Sequence, residues 1–84
     1  MVAKLVMVDP QSIEDSIRAG IVCTHVEVRG DGAHFEALIV SSEFAGLSRV
    51  RQHQLVYGAL GDRMRDEIHA LSMKTFSPEE WASR

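Results

Sequence analysis

An α+β domain, with a three-stranded sheet and helices packed on one of its faces, is the fold class the sequence predicts, and three observations lead to it. The run "HVEVRGDGAHFEALIV" alternates polar and apolar residues on both sides of a Gly-Asp-Gly, the pattern of two antiparallel strands joined by a tight turn. A second strand-like run, "IHALSMKTF", arrives only after a long stretch with helical apolar spacing. Helix-start chemistry stands near both ends, as Asp9-Pro10 and as Ser77-Pro78.

In chain order, Asp9 suits an N-cap with Pro10 at the first helical position, and Ile13, Ile17 and Ile21 recur every four residues. A helix is predicted from Pro10 to Ala19, with Gly20 just past its C-cap. In the first strand Val26 and Val28 face the core while His25, Glu27 and Arg29 face out. The second strand turns apolar on both parities at "ALIV", as a central strand covered on both faces does. "SSEFAGLS" reads as a connector, and Ser48 can cap a helix running through "RVRQHQLVYGALGDRM". Val50, Val56, Leu60 and Met64 form its predicted apolar side, widened by Leu55 and Ala59. Arg49, Arg51, Gln52 and His53 crowd its first turns, mostly toward solvent. Gly58 and Gly61 predict a break or a second short helix before Ile68. "SPEEW" then combines a serine cap, proline at the first helical position and glutamate three residues after the serine, so a short closing helix should fold Trp81 back as a lid on the sheet. Phe35, Phe44 and Tyr57 read as core residues.

With 84 residues, residues 1–84 make one small domain, which buries only about 60–65% of its unfolded surface and has little room for an enclosed active site. No HExxH or CxxC motif, phosphate loop or nucleophile–base pairing is visible, so the expectation is a non-enzyme. The formal net charge of −3 argues against charge-driven binding to nucleic acid, a local basic face apart. A single cysteine forbids an internal disulfide and points to a reducing compartment. The opening "MVAKLVMVDP" is too short for a signal-peptide core, and no run approaches the roughly 20 apolar residues of a membrane span. A cytoplasmic protein without membrane association is expected.

His69 opens the last strand-like run and shares strand parity with Leu71 and Met73. From the residues alone it is either a packed side chain on an apolar face or an imidazole offered to a metal. Arg49, Arg51, His53 and Lys74 likewise read either as a basic face for a partner or nucleic acid, or as ordinary solvated positions.

For His69, though not for the basic positions, several separated motifs favour the metal reading through a family resemblance. Gly32, His34 and Phe35 in the hairpin, Phe44-Ala45-Gly46, Ser48-Arg49, Val56-Tyr57, Ile68-His69-Ala70 and the terminal "TFSPEEW" stand in the order and spacing of the BolA family. The chain resembles that family from about Asp9 to Trp81, in particular its IbaG (YrbA-like) branch. The resemblance implies a class II KH-like fold. It also implies a partnership with a monothiol glutaredoxin, in which the two proteins and glutathione share a [2Fe-2S] cluster, with no cofactor when this chain is alone. Iron–sulfur trafficking or iron homeostasis is the function that follows. His69 occupies the position of the family's cluster-ligating histidine. Many BolA-like proteins carry a further Cys or His in a longer loop between the first two strands, but "RGDGA" contains neither. His34, just after the turn, is the first candidate for a second ligand, and is otherwise an outward-facing strand residue. Cys23 is the other, and is otherwise a small packed hydrophobe.

The family also implies an alternative, a DNA- or RNA-binding stress-response regulator. KH recognition, however, uses a GxxG loop, and "GLSR" here lacks the second glycine. A homodimeric stress protein without metal is a third reading.

Overall fold

The structure is a computed structural model that describes residues 8–84. Most of the segment read as lacking a signal-peptide core, residues 1–7, lies outside the described residues. Helix α1 (Pro10–Gly20) is followed by strands β1 (His25–Gly30) and β2 (His34–Val40), a single 3₁₀ turn (Ser42–Phe44), helix α2 (Arg49–Leu60), a four-residue helix α3 (Arg63–Asp66), strand β3 (Ala70–Phe76) and helix α4 (Pro78–Ser83). The sheet order is β1-β2-β3. Strand β1 pairs antiparallel with β2, and β3 runs parallel to β2 because the α2–α3 connection crosses over the sheet before the chain returns.

The predicted caps are in place. Asp9 accepts from the Gln11 amide at 3.0 Å, Ser48 accepts from the Arg51 amide at 3.3 Å, and Ser77 with Glu80 closes a reciprocal capping box at 3.1 and 2.9 Å. Helix α1 runs one residue beyond its predicted end. Gly20 belongs to the helix and lies so close to α2 that a Cβ there would stand 2.7 Å from the Ala59 Cβ. Helix contact, more than helix termination, is what requires glycine at this position. The break after α2 occurs only at Gly61, whose φ of 57° is left-handed; Gly58 stays within the helix.

Val26, Val28, Phe35, Ala37 and Ile39 are buried on the inner face of the sheet under α1 and α2, with Ile13, Ile17, Val56 and Leu60 above them. The outer face carries His25, Glu27 and Arg29 on β1, His34, Glu36 and Leu38 on β2, and Ser72 and Lys74 on β3. Helix α4 lies apart from the other helices and brings Trp81 to one corner of this outer face, stacked on His25 at 5.5 Å and tilted against Phe76 at 5.4 Å. Val40 is fully buried at the same corner, which accounts for the two-sided apolar character of "ALIV".

Four expectations for α2 are corrected. Val50 is 66% exposed, Tyr57 42% and Leu55 37%, while Gln52, assigned to solvent, is 3% exposed. The helix turns its buried side along Gln52, Val56 and Leu60, and Val50 lies about 200° around the axis from Gln52. Gln52 is buried because its amide group is fully used: its nitrogen donates to the Phe44 and Leu47 carbonyls, and its oxygen accepts from Thr75 Oγ1 at 2.6 Å.

Candidate metal centre

Two histidines meet where β3 begins beside the β1–β2 turn. Approaching from α3, the chain is anchored by Arg63, whose guanidinium donates to the Ser12 carbonyl at 2.9 Å and the Ser16 hydroxyl at 2.7 Å on α1. The Arg63 carbonyl accepts from the amides of both Glu67 and Ile68, and the Ile68 side chain is buried in the core. On the far side, the Ala70 amide donates to the Ala33 carbonyl at 3.2 Å and starts the parallel ladder. His69 is the one residue between these two anchors. It sits in a bend before the strand proper and is exposed, so the parity that would have placed it with Leu71 and Met73 does not apply.

His34 is fixed from the other side of the ladder. The Asp31 carboxylate accepts from the amides of Ala33 and His34, both at 2.9 Å, and the Asp31 amide donates to the His34 carbonyl. Those two amide hydrogen bonds hold the Asp31 carboxyl below the usual carboxylate range. His34 stands opposite Ala70 in the register, and its ring meets that of His69 edge to face, with centroids 6.1 Å apart and planes at 86°. Neutral imidazole is a borderline-soft donor suited to iron and other transition metals. No group of three or more His, Cys, Asp or Glu side chains converges among the described residues; His34 and His69 are the imidazoles brought together at this end of the ladder.

Cys23 is not part of this arrangement. It precedes β1, at the end of the sheet where His25 pairs with Val40, about 20 Å away by strand rise along β2. Its half-buried thiol donates to the Ile21 carbonyl, and burial raises its pKa above the ordinary value, which disfavours the thiolate that a metal requires.

The four residues read as a basic face occupy different surroundings. Arg49 reaches across to the edge of β3 and donates to the Thr75 carbonyl, the Thr75 hydroxyl and the Gln52 oxygen. Arg51 is exposed. His53 is half-buried, and its Nε2 is buried without a hydrogen-bond partner. Lys74 is on the outer face of the sheet, away from α2, where it lines a shallow depression of about 320 Å³ together with Glu27, Arg29 and Glu36. Both signs of charge share that face. The role of Gln52 in joining α2, the connector and β3 was missed by sequence reasoning, for which a lone glutamine among charged residues carries no signal.

A three-stranded mixed sheet under two helices, with a histidine pair at one end of its parallel ladder, defines a small α+β domain. Residues 9–80 match the family described as BolA-like protein. The chain is 41% identical over 71 residues to the acid stress protein IbaG of Escherichia coli, covering 83% of this chain and 84% of that one. It is 38% identical to the DNA-binding transcriptional regulator BolA of Haemophilus influenzae, over 71% of this chain and 58% of that protein. Among solved structures, a bolA protein homologue from Coxiella burnetii superposes with a TM-score of 0.83 at 42% identity, covering 90% of this chain and 99% of that chain. The BolA domain of SufE1 from Arabidopsis thaliana superposes at 0.76 with 29% identity, over 84% of this chain and 93% of that chain. The chain belongs to the BolA family, a regulatory or adaptor family whose members are named as stress proteins and transcriptional regulators.

Proposed function

We propose that this chain is a non-enzymatic adaptor that pairs with a monothiol glutaredoxin and helps to coordinate a [2Fe-2S] cluster shared with it and with glutathione, in cytoplasmic iron–sulfur trafficking or iron homeostasis. The observation that carries this reading is the exposure of His69 between two backbone anchors, with the His34 ring beside it. An imidazole held in place by its backbone and open to solvent is free to complete a metal site whose other ligands come from a second protein. Its donor set fits: exchanging a thiolate for a neutral imidazole on one iron removes negative charge and raises the potential of the cluster. His69 would be the primary ligand and His34 its neighbour.

Anaerobic reconstitution with a monothiol glutaredoxin and glutathione tests this. The mixed complex should have a visible circular dichroism spectrum distinct from that of the glutaredoxin homodimer, and His69→Ala should abolish the difference. A spectrum indifferent to His69 sinks the reading.

A nucleic-acid-binding regulator is the second reading, favoured by the likeness to a protein named as a DNA-binding regulator. Against it stand the engagement of Arg49 with Thr75 and the separation of Lys74 from Arg51 by the thickness of the sheet. Binding through phosphates should weaken steeply as salt rises. A titration with duplex DNA between low and physiological salt separates the two readings.

A further inference from the structure

The chain has four histidines, and their surroundings divide them into two kinds. The His25 ring is spoken for: its Nε2 lies 2.8 Å from Glu27 Oε2, and the ring is stacked on Trp81. His53 has its Nε2 closed off from solvent. His34 and His69 are the two exposed ones, and they are neighbours. Their backbones are pinned independently of each other, one by the Asp31 carboxylate and the other by the Ile68 and Ala70 anchors, so bringing the rings together costs rotation about side-chain bonds only.

From this we infer that His34 and His69 form a two-imidazole chelate that binds a single divalent transition ion of the imidazole-preferring class, such as Ni²⁺, Cu²⁺ or Zn²⁺, on the free chain. The site is the one used in the functional reading above, but this inference needs neither a glutaredoxin nor a cluster, and it departs from the expectation of no cofactor when the chain is alone. The geometry supports it. An ion held at about 2.0–2.1 Å by one nitrogen of each ring separates the ring centres by roughly 5–6 Å, and the observed centroids are 6.1 Å apart with the planes nearly perpendicular. Exposed rings close the remaining distance by small changes of their side-chain torsions. No carboxylate or thiolate completes a third position among the described residues, so bound ion keeps water in its other positions and is exchangeable. An ion held there occupies both imidazoles and excludes His69 from a shared cluster, so metal occupancy and cluster sharing compete.

The experiment is a titration of the full-length chain with Ni²⁺ alone at pH 7.5, without glutathione or glutaredoxin, followed by calorimetry and by ¹H–¹⁵N spectra. One ion should bind per chain, with paramagnetic broadening centred on Asp31, His34, His69 and Ala70. His34→Ala and His69→Ala should each weaken binding at least tenfold, and the double variant should lose the little that one remaining imidazole holds. His25→Ala should bind as the parent does. His34 and His69 are exposed and His25 is partly exposed, and far-ultraviolet circular dichroism checks that each variant is folded. Full affinity in His34→Ala, broadening centred on His25 and Glu27, or the lack of saturable binding overturns the inference. Failure here with a His69-dependent cluster spectrum intact overturns the chelate and leaves the adaptor standing; the reverse pattern overturns the adaptor and leaves the chelate.

Discussion

At the scale of single residues, position and protonation are assigned to different groups. Asp31 positions His34, and its folded pKa lies below the ordinary 3.8 because two amides donate to the carboxylate. A group with a lowered folded pKa contributes its stabilisation in full above its unfolded value and loses it as pH falls through the folded one. The turn should therefore hold its shape throughout the neutral and mildly acidic range and loosen only below about pH 4. Amide hydrogen exchange at Ala33 and His34 measures this: protection should be constant from pH 7 to 5, and Asp31→Asn should lower it at every pH. Loss of protection in the parent near pH 6 would show that the turn depends on another group. Gln52 is the second residue whose role is local and complete. Gln52→Leu removes the amide nitrogen that donates to the Phe44 and Leu47 carbonyls and the oxygen to which the Thr75 hydroxyl donates, and urea unfolding should register a loss of about 1–3 kcal/mol. Neither role was legible in the sequence. An aspartate in a turn and a glutamine in a helix are ordinary there, and their partners are set by backbone geometry.

At the scale of elements, the parts with local chemical causes were legible and the parts with nonlocal causes were not. Asp9-Pro10, Ser48 and the Ser77–Glu80 box start helices through contacts within a few residues, and the strand alternation around Gly-Asp-Gly is local as well. Gly20 shows the opposite case. Its place in the sequence suggested a helix stop, but its cause is the approach of α2. Gly20→Ala should improve helix propensity by up to about 1 kcal/mol, yet the added Cβ meets Ala59, and overpacking of this kind costs about 1–3 kcal/mol. The net result should be destabilisation in chemical denaturation. Ala59→Gly in the same chain should recover part of the loss, and a double-mutant cycle reads the coupling directly. Additive effects would mean that the two helices part easily, and that the contact is incidental. Residue parity at the start of β3 failed for a related reason: the strand begins at Ala70, where pairing with Ala33 starts, and His69 falls just outside the alternation.

At the scale of the whole molecule, the sheet keeps two specialised ends apart. His34 and His69 stand at the end where β3 begins, whereas Trp81, His25 and Phe76 close the other end, about 20 Å away by strand rise along β2. That His34 would stand beside His69 came only from the family resemblance and not from the pattern of the chain, because the meeting depends on the register of a parallel pairing across a long crossover. That register also makes the two ends separable by experiment. The Arg84 guanidinium lies 3.3 Å from the centroid of the Trp81 ring, which is also packed on Phe76 and His25. Removing the half-buried ring should cost less than the roughly 3–5 kcal/mol of a fully buried aromatic, so Trp81→Ala should lower unfolding stability by about 2 kcal/mol. Sites this far apart with no shared partners act independently, and the same variant should therefore bind Ni²⁺ and support the mixed cluster spectrum as the parent does. If Trp81→Ala also weakened metal binding, the two ends would be coupled through the sheet. α4 would then be part of the site's support, and the division of the domain into a packing end and a chemical end would not hold.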